Sequence, residues 1–170
     1  MKYISYLLIA IACPLLSKSQ DITGLWKGHI TNDTTREQLV YEVLISKEKG
    51  RYNGYSHTWF KIGDQQYYGV KKLKIHIAKD KKIIIQDWEL LEHNYPMDPH
   101  KYVRQLNVLD LAAANEELAM SGPFVTNRTK EYKSLTGQVS LKKMTDQSQG
   151  EVVKYLAKSV NGNLATVKKK

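Results

Sequence analysis

Hydrophobic and polar positions alternate along most of the chain in short runs broken by turn residues. Residues 22–31 form the first run. Residues 37–46 form the second, where Leu39, Tyr41, Val43 and Ile45 fall on one face of an extended strand. Lys47-Glu48-Lys49-Gly50 reads as a turn into residues 51–62, a run rich in Tyr, Thr and Trp as strands prefer. Gly63-Asp64 leads into 66–78, and Lys79-Asp80-Lys81 leads into 82–91. Residues 92–99, with Asn94, Pro96, Asp98 and Pro99, break the rhythm as an irregular loop. A strand resumes over 101–111. Residues 112–117 read as a turn or a single helical turn, and 118–121 as a short strand that Gly122-Pro123 closes and 124–126 extends. Residues 126–133 are a polar connection. The last strand is 134–144, with Leu135, Val139 and Leu141 on one face. The period then changes. Val152, Val153, Leu156 and Val160 fit one face of a helix over 151–160, which Asn161-Gly162 stops.

About eight strands joined as hairpins predict an all-β fold, an up-and-down meander barrel with a C-terminal helix packed against it. A chain of 170 residues, 42% of them hydrophobic, supports one core. The boundaries follow as a leader over 1–19, a barrel domain over 20–145, and a helix with a basic tail over 146–170.

The leader carries Lys2, an apolar stretch over 6–16 and the small-x-small sequence Ser17-Lys18-Ser19 before Gln20. That stretch is shorter than the roughly 20 residues of a membrane-spanning helix, so the segment reads as a secretory signal. The expected location is exported and soluble, periplasmic or extracellular. Cys13, the one cysteine, lies inside the leader, so the mature chain has no disulfide and no thiol chemistry. The alternative makes Cys13 a lipidated residue after Ile9-Ala10-Ile11-Ala12, and only then does the protein meet a membrane. The net charge of +9 is spread over short lysine groups such as Lys71-Lys72 and Lys142-Lys143. Solvated strand faces and lysine-protected edges account for most of it. Nucleic acid is not an expected partner of an exported chain, whereas an acidic glycan is the better electrostatic match.

Gly24-Leu25-Trp26, followed by Gly28, opens the first strand. A Gly-x-Trp on the first strand of an eight-stranded meander ending in a helix resembles the lipocalins and their wider calycin relatives. The run Asp-Ile-Thr-Gly-Leu-Trp-Lys-Gly after a leader also looks like small uncharacterised exported proteins of Bacteroidetes. The resemblance implies that Trp26 packs across the base of the barrel and that Gly24 lets the chain bend beneath it. The family's arginine after the last strand is replaced by Lys142 and Lys143, either of which could lie over Trp26 as a cation–π partner.

Candidate chemistry is sparse. Tyr55, His57, Trp59 and Lys61 share one face of the third run, and Gly54, Ser56, Thr58, Phe60 and Ile62 share the other. If the first face lines the barrel, the lumen has an aromatic wall with polar handles. If it faces outward, it is a stripe suited to a protein or glycan partner. Tyr41 joins these residues as a ligand-binding candidate. On the 101–111 strand, Tyr102, Arg104, Leu106, Val108 and Asp110 share a face. Gln105 and Asn107 lie on the opposite one, between Val103 and Leu109, where amides in an apolar stripe must find partners or bind something polar. Arg104, Gln105 and Asn107 are therefore candidates too. Asp87 and Glu89 share a strand face and could mimic a carboxylate pair. Glu92, His93, Asp98 and His100 have metal-ligand chemistry but no standard spacing. Gly-x-Ser-x-Gly and a phosphate-cradling glycine loop are absent. The expectation is a non-enzymatic binding module with no cofactor and no metal, holding a small hydrophobic or glycan ligand. The alternatives are an envelope domain that binds another protein, or a hydrolase of unfamiliar type.

Overall fold

A computed structural model describes residues 21–100, 102–114 and 117–167, the side chains of 114 and of 160–167 excepted. The segment read as a leader, with Cys13, and the last three lysines lie outside the described residues. Eight antiparallel strands close in sequence order: β1 (Gly24–Asn32), β2 (Gln38–Glu48), β3 (Arg51–Ile62), β4 (Gln65–Ile77), β5 (Ile83–His93), β6 (Gln105–Ala114), β7 (Glu117–Thr126) and β8 (Thr136–Lys143). β8 returns to pair with β1, so the sheet is a closed barrel. A single α-helix, α1 (Glu151–Val167), follows. The meander barrel and its terminal helix are thus as the alternation predicts.

Turn chemistry sets the hairpins. β2 and β3 meet through Lys49 and Gly50, both at positive φ (48° and 79°), the pattern of a type I′ turn whose twist matches the flanking strands. Gly24 takes φ 112°, a conformation L side chains rarely adopt, and so turns the chain into β1. Two residues on, Trp26 is fully buried and its indole N–H donates to the Ile22 carbonyl at 2.9 Å. Lys143 is the lysine that lies over it, with Nζ 5.9 Å from the ring centroid and bonded to the Asp21 carbonyl.

The base of the barrel is packed solid. Trp26, Ile45, Ile75, Ile83, Met120 and Leu141 come from the strand ends that meet there, and all belong to one apolar cluster. Burying such side chains is the main force holding the sheet closed.

Four local expectations need correction. β6 begins at Gln105 rather than 101, because Tyr102 sits in the left-handed region (φ 71°) and cannot be part of a strand. β6 and β7 run on as an antiparallel pair to Ala114 and Glu117, so 112–114 is strand and not a turn. β7 also continues through Gly122-Pro123. There the ladder to β6 lapses while Gly122 and Pro123 still oppose Val139 and Gln138 of β8. Finally, α1 passes Asn161-Gly162 and ends at Val167. A glycine inside a helix costs about 1 kcal/mol, which need not end one.

Candidate functional site

The register decides which face of each strand looks inward. Ser56 of β3 lies between Val43 of β2 and Lys71 of β4, and Gly54 lies between Ile45 and Leu73. The Ser56 and Phe60 side of β3 therefore faces the lumen, and Tyr55, His57 and Trp59 face outward. The same logic puts Tyr41, Gln105 and Asn107 inside and Arg104 outside. Of the seven ligand-binding candidates from the sequence, three stand in the interior and four on the outer wall.

Of the outer three on β3, His57 lies near the start of α1, within reach of the Glu151 charge. His57 is buried, with its ring 3.9 Å from that of Trp59 and 5.3 Å from that of Tyr68. Beside it, the buried Glu42 accepts from the Val152 N–H at 3.2 Å and forms an ion pair with Lys27 at 2.9 Å. A carboxylate at a helix N-terminus is favoured by the unsatisfied N–H groups there. His57 Nδ1 has no hydrogen-bond partner among the described residues. Burial pushes its pKa down, and the nearby Glu42, Glu151 and Glu92 only partly offset this.

The interior above the apolar base is polar. Lys71 Nζ and Asp87 Oδ2 form an ion pair. Asp87 Oδ2 also accepts a long bond from the Gln105 N–H (3.4 Å). Gln105 Nε2 donates to Asn107 Oδ1 at 2.7 Å, and Asn107 Nδ2 donates to the Ile85 carbonyl at 3.2 Å. Burial works to lower the Lys71 pKa, but the charge of Asp87 and its hydrogen bond outweigh burial and hold it above the ordinary lysine value. Tyr41, fully enclosed, has its phenol pKa pushed far up by burial and by the negative charge of Asp87, so the group is neutral. Neither the Tyr41 hydroxyl nor Ser56 Oγ has a hydrogen-bond partner among the described residues.

Above this layer the barrel wall parts. β5 carries two extra residues relative to β4. Leu73 faces Asp87 but Lys72 faces Glu89, and Lys71 faces Leu90 but Val70 faces Glu92, so Trp88 and Leu91 are bulged out. Bulges bend a strand and raise its twist. Beyond Gln86, β5 has no recorded pairing with β6, and the ladder between them is four residue pairs long. The bulge also corrects a sequence expectation. Asp87 and Glu89 do not share a face, because Asp87 sits beside the inward Leu73 and Glu89 beside the outward Lys72.

The gap is a cavity of about 830 Å³ between the free edge of β5 and the 94–104 loop. Phe60, Leu90, Tyr95, Val103 and Tyr132 line it, with Lys71 and Asp87 reached from it. Tyr95 stands close to Gly69, where a Cβ would lie 1.9 Å from the Tyr95 hydroxyl. Its ring is 5.5 Å from Phe60 and 4.8 Å from His93. Glycine at 69 is thus a steric requirement for this seat.

The loop residues with metal-ligand chemistry take separate partners. Glu92 accepts from the Tyr68 hydroxyl, His93 Nδ1 accepts from the Tyr95 N–H, and His100 faces Glu131 at 3.7 Å. Among the described residues no group of three such side chains converges.

Lys71, Asp87, Phe60, Tyr95 and Tyr132 are not among the seven ligand-binding candidates, although Asp87 enters the sequence reading as half of a carboxylate pair and Phe60 as part of the alternative inward face of the third run. Two of them left a signal. Lys71 shares its strand face with Leu73 and Ile75, and Asp87 shares its face with Ile83 and Ile85, so each is a charge at the end of an apolar stripe. The two tyrosines come from irregular segments whose path no periodicity reveals.

Fold and site together define an eight-stranded meander barrel with a solid base, a polar middle and a side opening. No protein-family model matches the chain, and comparison with curated proteins and with solved structures gives no match.

Proposed function

We propose that this protein is a non-enzymatic binding module that takes an amphipathic small molecule through the β5–β6 opening. The observation that carries the reading is the 830 Å³ cavity, whose lining is mainly aromatic and apolar and includes the Lys71–Asp87 ion pair beside Glu89, Asp98, His100 and Arg104. Pockets of a few hundred Å³ with apolar walls and a few polar groups are where small ligands bind. The ligand's apolar body lies against Phe60, Tyr95 and Leu90, and its polar end meets Lys71 and Asp87. The leader-like N-terminus supports an exported location in the cell envelope. Gly24, the buried Trp26 and the lysine over it support a distant kinship with the lipocalin-like barrels.

Anilinonaphthalene sulfonate, an aromatic probe that brightens in apolar surroundings, tests the reading. Its fluorescence should rise and saturate at one probe per chain. Leu90→Trp fills the cavity and should abolish that rise while leaving the melting temperature close to wild type. Equal probe binding by wild type and a folded Leu90→Trp protein rules the cavity out as the site.

A further inference from the structure

We propose a second site, a groove on the outer wall of β5, β6 and β7 that binds an acidic sugar. It adjoins the cavity, since Tyr102 and Arg104 line both, whereas Gln86, Leu106, Val125 and Asn127 line the groove and not the cavity. Gln86, Leu106 and Val125 oppose one another in register, making a continuous row across three strands. Above the row stand Tyr102, Arg104 and Asn127, and together these residues line a groove of about 380 Å³.

Arg104 is the one charged residue in that lining. No carboxylate is recorded within ion-pair distance of it among the described residues. Its guanidinium lies 4.7 Å from the ring centroid of Trp88, which also carries Lys74 Nζ at 3.0 Å. The groove rim is therefore cationic, and its floor is apolar. A planar guanidinium held against an aromatic ring is pre-organised to take a carboxylate or sulfate by two parallel hydrogen bonds.

Tyr102 supplies a ring. It is 80% exposed, and its backbone is in the left-handed region at φ 71°. Non-glycine residues hold that conformation at a cost and only where their surroundings impose it. Asn127 imposes it here: its Nδ2 donates to the Tyr102 carbonyl at 2.9 Å and its Oδ1 accepts from the Arg104 N–H at 2.5 Å. One side chain thus fixes the backbone at both residues, from which the exposed ring and the cation project. A sugar ring has an apolar C–H face for Tyr102 and the Leu106–Val125 floor, hydroxyls for the Gln86 amide, and, when acidic, an anion for Arg104.

The test uses calorimetric titration of the full mature chain with a heparin hexasaccharide, a sulfated sugar, against neutral maltohexaose. The sulfated sugar should bind at least about tenfold more tightly, the worth of one charge-assisted contact. Arg104→Ala and Val125→Glu should each weaken it by about tenfold or more. Leu90→Trp, at a position that lines the cavity and not the groove, should leave it unchanged, which distinguishes sugar binding in the groove from binding in the adjoining cavity. The double replacement of Lys79 and Lys142 by alanine removes two exposed charges elsewhere and should change binding less than about twofold. Equal affinity for both sugars, or full binding by Val125→Glu, overturns the groove. So does an equal loss in the double-lysine variant, which would mark a diffuse attraction to a basic surface.

Discussion

At the scale of single residues, the decisive feature is a charge pair inside a barrel. Asp87 is almost fully buried and Lys71 is mostly so, and each is the other's counter-charge. Taking charges out of water is expensive, so such a pair stabilises little compared with apolar residues, yet breaking it is costly. Asp87→Ala strands the Lys71 ammonium and should cost about 3 kcal/mol in urea unfolding. The double variant Lys71→Met with Asp87→Leu should regain most of that loss. A double variant as unstable as the single one would mean that packing, and not the stranded charge, sets the cost. The pH dependence follows the direction of the Lys71 shift. Its folded pKa is held above the unfolded lysine value of about 10.4. Its stabilising contribution is therefore complete at neutral pH and fades only as pH climbs through the alkaline range toward that raised value.

At the scale of elements, the contact between α1 and the wall turns on His57 and Glu42. The His57 pKa is lowered in the fold by burial, against the opposing pull of Glu42, Glu151 and Glu92. Below about pH 6.5 the unfolded chain binds a proton that the folded chain resists, so stability falls as the solution is acidified, until the folded pKa is passed. His57→Phe keeps a ring against Trp59 and Tyr68 and removes the titration. Between about pH 7.5 and 5, wild type should lose more unfolding free energy than His57→Phe, because only wild type carries the buried imidazole. Parallel loss in both proteins would place the acid sensitivity elsewhere. Elements were also where the sequence was most and least legible. The period-two pattern of residues 37–46 gives β2 its inward face correctly, because every residue of that stretch keeps step with its neighbours. Residues 87–92 cannot be read that way. The bulges at Trp88 and Leu91 reset the alternation, and an inserted residue looks the same in sequence as a regular one. Tyr95 and Tyr132 were illegible for another reason: their position depends on loop paths that only the closed barrel defines.

At the scale of the whole molecule, the meander was legible because each run hides one side and the runs follow one another without a long crossover, but that pattern suits a sandwich as well as a barrel, and it is the pairing of β8 with β1 that closes it. What the pattern could not say is that closure is uneven. β3 and β4 are joined along their length, from Tyr52 opposite Ile75 to Ile62 opposite Gln65, while β5 and β6 pair only from Ile83 to Gln86. The barrel is thus tightly laced around its apolar base and loose at one seam above it. Local opening should follow that gradient, because amides with weak pairing and few apolar neighbours exchange through small fluctuations and core amides through global unfolding. In hydrogen exchange, amides of Asp87–His93 and of β6 near Gln105 should exchange ahead of those in β2 and β3 facing the base. Binding of anilinonaphthalene sulfonate in the cavity should slow exchange at that seam and in the 94–104 loop, and leave the base unchanged, since a ligand protects the openings it must block. Uniform protection around all eight strands would mean that the seam is as firmly closed as the rest, and that no side entrance exists for a ligand to use.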